Sequence, residues 1–327
     1  MGLRSALRVR TRLGLRKSPP RIGARGAVVP EVPIAYDAVD IFRVEHFPDA
    51  GPTPWLDRPD AEDEVRSRER HGELTHGDAE ICRKWIRDGY VVRERLVDDV
   101  MLDYVWDAYE ASIAAGTVVP PKEPFYEGDV TPGRALNPHF RVKEIRELME
   151  SPEIVGTIEL LLGANSIAFQ SISGHKASQQ AIHSDSIHMT TYPQGYLVAM
   201  WVACEDIAPD AGPFVYYPGT HRLPYVYSRD VGIPLEDDRQ PNYREFDARY
   251  TPRIEQVAAD SGVEPKYFTA KRGDVLFWHA NLIHGGSALA NLQQTRKALV
   301  FHFFAEGCIC YHDLSGGPSW LHGNRPF

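Results

Sequence analysis

The stretch "DVLFWHANLIHGGS" (Asp274–Ser287) is an apolar run that ends in two histidines and a pair of glycines. Val275–Trp278 follows the turn signal Gly273-Asp274 and is too short for an ordinary helix. It reads as a buried strand with His279 and His284 at its end. Similar runs surround it. "SIAFQSISG", "GYLVAMWVAC", "PFVYYPG", "KYFTA" and "RKALVFHFFAEG" are all short and apolar or alternating. Turn residues separate them at Pro193-Gln194-Gly195, Pro209–Pro213 and Pro218-Gly219. Many short strands with turn chemistry between them predict a sandwich or small barrel beyond Ala164, interrupted by one helix near Pro252–Ala259.

Before Ala164 the period is helical. "THGDAEICRKWIRDGYVV" predicts a helix capped at Thr75 or Asp78, with Ile81, Trp85 and Ile86 on one face and Gly89 as its stop. "YVVRERLV" follows as a short strand. "DDVMLDYVWDAYEASIAAG" predicts a helix with Met101, Val105, Tyr109 and Ile113 inward. "SPEIVGTIELLLG" predicts another, with Ser151 as cap, Pro152 at its first position and Gly163 as its stop. Residues 1–70 carry many prolines and no sustained period, so they read as an extended, partly flexible arm. Residues 71–327 read as one domain, α+β with a mainly β core.

The whole chain has 327 residues and a formal net charge of −9. The balance is uneven. Residues 1–26 hold eight Lys/Arg and no acid, which leaves 28 basic against 45 acidic residues elsewhere. An acidic body argues against a nucleic-acid partner. The basic start reads as a solvated arm, or as a weak docking element for an anionic surface through Leu3, Leu7, Val9 and Leu13. Arg8, Arg10, Arg12 and Arg16 break every apolar core that a signal peptide would need, and no run is long enough to span a membrane. The four cysteines (Cys82, Cys204, Cys308, Cys310) are too few and scattered for a disulfide framework, so they are expected to be reduced, in a cytoplasmic setting.

"QQAIHSDSIHM" (Gln179–Met189) supplies the chemistry. His183 and Asp185 stand two apart, a spacing that puts both side chains on one face of a strand. His-x-Asp alone is weak, because most such pairs are solvated polar residues. With His284 or His279 as a third donor it becomes two histidines and a carboxylate, the set used by non-haem Fe(II) oxygenases. A 2-oxoglutarate chelated to such a metal needs a fixed cation for its far carboxylate. Arg296, 12 residues past His284, is placed to run back antiparallel after "GGSALAN".

The ordered set "IRDGYVV", "QQAIHSD", "MWVACEDIAPDAGPFVYYPGTHRLP", "KRGDVLFWHANLIHGG" and "TRKALVFHFF" resembles the phytanoyl-CoA dioxygenase family of Fe(II)/2-oxoglutarate oxygenases, from about Leu74 to Gly307. The resemblance implies a double-stranded β-helix of jelly-roll or cupin type with N-terminal helices packed on it. It implies His183, Asp185 and His284 as iron ligands and as the catalytic set, with O₂ as oxidant. Arg296 would hold the 2-oxoglutarate carboxylate, and Trp201 and Gln170 would line the cosubstrate pocket. His188 and Thr190 continue the ligand segment and are candidate substrate contacts. Trp201 reads equally as plain core. His279 and His302 read as hydrogen-bonded strand histidines, and His175 and His221 as structural.

Two departures mark this chain. Gly286 stands where many relatives have serine, with Ser287 one place later, and the spacing to Arg296 is one residue longer than in some members. The expected reaction is hydroxylation of a small organic metabolite. An acyl-CoA thioester is the alternative within the family. A non-catalytic cupin-like binding module and a zinc hydrolase are alternatives outside it. The segment from Leu223 to Glu264, with Tyr225, Tyr227, Arg229, Arg239, Tyr243 and Arg244, reads as a substrate wall or lid, or as a surface excursion. Related halogenases lack the carboxylate that Asp185 provides, which leaves them a coordination position for chloride. Turnover of a true substrate in chloride should therefore give an oxygenated main product, and a chlorinated one in the mass spectrum would defeat this reading.

Overall fold

The computed structural model describes residues 42–47, 51–122, 129, 131–236 and 240–318. The apolar runs beyond Ala164 become strands β3 (Ser166–Gly174), β5 (Leu197–Ala203), β6 (Phe214–Tyr216), β7 (Lys266–Phe268), β8 (Val275–His279) and β10 (Ala298–Ala305). Of these, β3, β5, β8 and β10 join β1 (Tyr90–Arg93) and β2 (Ala135–Leu136) in a six-stranded antiparallel sheet in the order β1-β8-β5-β10-β3-β2. A second sheet has the order β7-β6-β9, where β9 is His284–Gly286. A third joins β4 (Thr190–Tyr192), β11 (Ile309–His312) and β12 (Gly317–Pro318). The chain passes back and forth between the first two sheets: β5 lies in one, β6 and β7 in the other, β8 in the first again, then β9 and β10.

Strands β5 and β8 are buried throughout because the large sheet is covered on both faces. Val198, Met200, Val202, Val275, Phe277, Leu299 and Phe301 pack toward the helices. Their alternating neighbours Ala199, Trp201, Ala203, Leu276, Trp278 and Ala298 pack toward Phe214, Tyr216 and Phe268 of the smaller sheet. The space between the sheets is where the inward residues of β8 and β10 meet β9.

The helices are α1 (Ala61–Arg70), α2 (His76–Asp88), α3 (Asp99–Ala114), α4 (Lys143–Met149), α5 (Pro152–Leu162) and α6 (Thr251–Ser261). Thr75 and Asp78 form a reciprocal capping box on α2, and Gly89 ends it in the left-handed region. Ser151 sits at the cap of α5 without a side-chain cap bond, with Pro152 at the first position. Helix α3 is rotated from the expected face: Leu102, Val105, Trp106 and Tyr109 are buried, and Met101 and Ile113 lie at the margin.

The expected arm ends earlier than residue 70. Residues 61–70 are helix α1, which packs on α2 through Val65. Trp55 is buried, donates its indole N–H to Leu160 O at 2.9 Å and lies under the Arg68 guanidinium at 4.5 Å. Phe42 and Phe47 stack with Tyr192 and Tyr311 in a small cluster of their own. The basic residues 1–26 lie outside the described residues. All four cysteines are buried. No helix among the described residues is long and apolar enough to cross a membrane. Trp55→Ala should lower the unfolding free energy by about 3–5 kcal/mol in chemical denaturation, the cost of emptying a buried tryptophan site. A loss under about 0.5 kcal/mol is what a flexible arm would give.

Candidate active site

The site starts from a backbone contact. His183 N–H donates to His284 O and His284 N–H donates to His183 O, both at 2.8 Å, a one-residue antiparallel bridge between the segment after β3 and strand β9. Gly286 N–H continues the pairing to Gln180 O at 2.9 Å. The two glycines after His284 are what let these segments meet. A Cβ at Gly285 would lie 3.1 Å from Ile182 Cα, and one at Gly286 would lie 2.9 Å from Gln179 N. On its other side β9 pairs with β6, with Tyr216 opposite His284.

Asp185 does not share a strand with His183, as the two-residue spacing suggested. Ser184 is extended, and the chain then turns into a 3-10 segment, Asp185–Ile187. The Ser184 N–H is held by the Tyr250 hydroxyl at 3.1 Å, and the Asp185 carbonyl accepts from His188 and Met189 N–H. The turn still aims the carboxylate at the histidines. Asp185 Oδ1 lies 3.4 Å from His284 Nε2 and 3.8 Å from His183 Nε2. One donor atom from each of the three residues lies within 4.8 Å of the others, and all three residues are buried.

Both imidazoles are fixed from behind. His183 Nδ1 donates to Ala181 O at 2.8 Å and His284 Nδ1 to Leu282 O at 2.9 Å. A carbonyl can only accept, so a proton sits on each Nδ1, and in the neutral tautomer Nε2 presents its lone pair inward. Burial lowers the His183 imidazole to about 4, with neighbouring His284 adding to this, so it is neutral near pH 7. Burial alone would raise the Asp185 carboxyl. The facing His284, His302 and His183 more than offset this and hold it well below the usual carboxylate range. A neutral His183 imidazole and an ionised Asp185 carboxylate are the states in which these groups bind a divalent metal. Cis ligands on bonds of about 2.1 Å sit roughly 3 Å apart, so small side-chain rotations would close this set on an ion.

A cavity of about 100 Å³ opens from the triad between the two sheets. Arg296 and Trp201 line it, as do Ala298, Val300 and His302 along β10. Arg296 is buried. It donates from Nη1 to Gly212 O at 2.9 Å, while its Nε has no partner among the described residues. Its guanidinium carbon lies 5.9 Å from the Trp201 ring. Burial, with Arg134 nearby, lowers it to about 10, so it stays charged at neutral pH. A buried cation with an open donor, across one cavity from a candidate metal set, fits a small dicarboxylate between them. Ser287 donates to Pro213 O at 2.7 Å and so plays a structural part.

The remaining candidates lie as follows. Gln170 pairs with His302 across β3 and β10 and keeps a buried Oε1 without a partner, but it is not among the residues that line the cavity. His188 packs its ring 5.4 Å from His183 and 5.1 Å from Phe246, with Nε2 unpartnered. Thr190 is turned to the Tyr227 hydroxyl at 3.3 Å within the third sheet. Neither lines the cavity. His279 bonds Asp57 at 3.2 Å and the Asn281 N–H at 3.0 Å, as a strand histidine should. His302 differs from expectation: it faces the cavity, its Nδ1 is unpartnered, and its Nε2 lies 3.9 Å from Asp185 Oδ2. Trp278 was missed as a site residue. Its indole N–H donates to Asp185 Oδ2 at 2.8 Å. The signal was its place one residue before His279 on the inner face. Within the 223–264 segment, Val226, Ile233, Phe246, Tyr250 and Ile254 pack against Ile187, Ile283 and Leu314, beside the ligand segment. Arg239 lies outside the described residues.

A sequence model of the phytanoyl-CoA dioxygenase (PhyH) family matches residues 85–298. The chain belongs to the phytanoyl-CoA dioxygenase family. Human peroxisomal phytanoyl-CoA dioxygenase is 29% identical over 185 residues, which cover 53% of this chain and 49% of the human one. The chain thus spans about half the length of the curated relatives it matches. Among solved structures, the non-heme alpha ketoglutarate dependent carbocyclase SnoK of nogalamycin biosynthesis superposes with a TM-score of 0.56 at 18% identity, over 84% of this chain and 98% of that one. EctD from S. alaskensis, solved with 2-oxoglutarate and 5-hydroxyectoine, gives 0.51 at 18% identity, over 71% of this chain and 76% of its own. These likenesses establish the jelly-roll fold for a PhyH member. Gly286→Ala should push residues 178–180 outward, lower stability by about 1–3 kcal/mol and weaken divalent-metal binding. Denaturation and a metal titration on the same sample check both.

Proposed function

We propose that this PhyH-family protein is a non-haem Fe(II)- and 2-oxoglutarate-dependent dioxygenase that hydroxylates a small organic metabolite with release of succinate and CO₂. The observation that carries this is the pairing of one buried cavity with two ends. His183, Asp185 and His284 stand at one end and the partly unsatisfied Arg296 at the other. A zinc hydrolase gives Arg296 no task, and a non-catalytic binding module would tolerate loss of a ligand, whereas this chain keeps His183, Asp185 and His284 together with Arg296.

Each residue has a distinct part. His183 and His284 offer Nε2, and Asp185 offers Oδ1, on one side of the cavity, leaving the facing side free for exchangeable ligands. Arg296 orients the dicarboxylate by its far end, and the Trp201 ring flattens the space beside it. Phe214 stacks on the His284 ring at 5.2 Å and, with Trp278, keeps water from the ligand side. Bound iron with 2-oxoglutarate and O₂ supplies the oxidising power, coupling decarboxylation of the cosubstrate to oxygen insertion into the substrate. The acidic body favours a small polar metabolite over an acyl-CoA thioester, the class named for the human relative. The four buried thiols support a cytoplasmic setting.

The test is succinate formation from 2-oxoglutarate with Fe(II), ascorbate and O₂, beside metal-dependent binding of 2-oxoglutarate. Wild type should do both, and Asp185→Ala neither. Arg296→Ala should keep the metal and weaken 2-oxoglutarate by about 1.5–3 kcal/mol, roughly ten- to hundredfold, the worth of a hydrogen bond to a charged group. Wild-type protein that binds no 2-oxoglutarate with metal present would sink the proposal. Phytanoyl-CoA as a substrate arm separates the two substrate classes.

A further inference from the structure

Asp185 has two carboxylate oxygens, and the structure treats them differently. Oδ1 faces His284 and His183 at 3.4 and 3.8 Å. Oδ2 accepts the Trp278 indole N–H at 2.8 Å. Trp278 is buried in β8, on the inner face of the large sheet, against Phe214 and the His284 ring. Its ring cannot turn without disturbing that packing, so the N–H is a fixed donor. His302 Nε2, at 3.9 Å from the same oxygen, is beyond hydrogen-bond reach.

This asymmetry matters for the coordination count. A carboxylate can bind a metal through one oxygen or both. With one oxygen, two imidazoles and Asp185 fill three of six octahedral positions and leave three, enough for a bidentate 2-oxo acid and one further ligand. With both, only two remain, and the 2-oxo acid would use them up. A hydrogen bond to Oδ2 withdraws that oxygen's lone pair and fixes the plane of the carboxylate.

We propose that Trp278 is a positioning residue that keeps Asp185 a one-oxygen ligand, by holding Oδ2 through its indole N–H. The inference rests on the reading of His183, Asp185 and His284 as metal ligands.

The test uses Co(II) as a spectroscopic stand-in for Fe(II) with the full chain. Trp278→Phe keeps an aromatic ring at the position and removes the N–H donor, together with the pyrrole half of the indole. Its Co(II) Kd should rise ten- to hundredfold, the usual effect of losing a group that orients a metal ligand. The ligand-field bands should shift, and the apo-protein should stay folded with a lower melting temperature from the lost volume. A merely structural tryptophan would lower the melting temperature and leave the Kd and spectrum as in wild type. An unchanged or lower Kd in the variant overturns the inference. Wild type that binds no Co(II) overturns the metal reading as well. A second measurement needs no variant. In the ¹⁵N-tryptophan spectrum of the wild-type protein, the Trp278 indole proton, assigned through its contact with the His302 ring, should exchange slowly and shift when Co(II) is added. Free exchange with solvent overturns the inference.

Discussion

The reciprocal main-chain hydrogen bonds between His183 and His284 are the contact on which the rest of the site depends. They set the separation of the two imidazoles without any contribution from the side chains. The side chains are then oriented by the same local device on each strand: Nδ1 donates to the carbonyl two residues earlier, at Ala181 in one case and Leu282 in the other. Distance is thus fixed across the bridge and direction along each strand. Gly285 and Gly286 make the approach possible, because any side chain there would meet backbone atoms. This accounts for the glycine at 286. In this chain Ser178 Oγ and the backbone of Gln179 fill the space that a side chain at 286 would need.

The two-faced large sheet explains why a polar cavity survives inside an apolar core. Leu299, Phe301 and Phe303 on β10 point toward the helices, while Ala298, Val300 and His302 point into the cavity. Small or β-branched residues at 298 and 300 leave the room that the cavity occupies. Opposite His302 the pairing is bulged, with β3 carrying an extra residue at Phe169. Two polar atoms that line this cavity, Arg296 Nε and His302 Nδ1, have no partner among the described residues, and a bound anion or water can satisfy them there.

Much of this was legible in the sequence, and the exceptions have physical reasons. The run Ser166–Gly174 coincides with β3, and the turn residues around Val275–His279 bound β8 to within a residue. Hydrophobic period and turn chemistry are local properties. The triad was legible from residue type and order, yet the argument for His183 and Asp185 on one strand was wrong in detail: a 3-10 turn held by Tyr250 delivers the carboxylate. Strands β4, β11 and β12 have two to four residues each, too few to show a period. Helix α1 is highly charged, and nothing in its pattern announced that Val65 would be covered by α2. Trp278 and His302 read as core and strand residues because their partner, Asp185, lies about a hundred positions away, and only the closed fold brings it to them.

That separation has a consequence for how the protein assembles. His183 and His284 are joined by a loop of about a hundred residues, and closing such a loop is among the costly steps of folding. No small local unit contains a complete donor set. An ion that binds the finished set therefore draws on the whole barrel and stabilises it by mass action, in proportion to the logarithm of free metal over its Kd. An ion held by His183, Asp185 and His284 would be a lock on the global fold, and the concentration of available ion would set the fraction of chains kept closed.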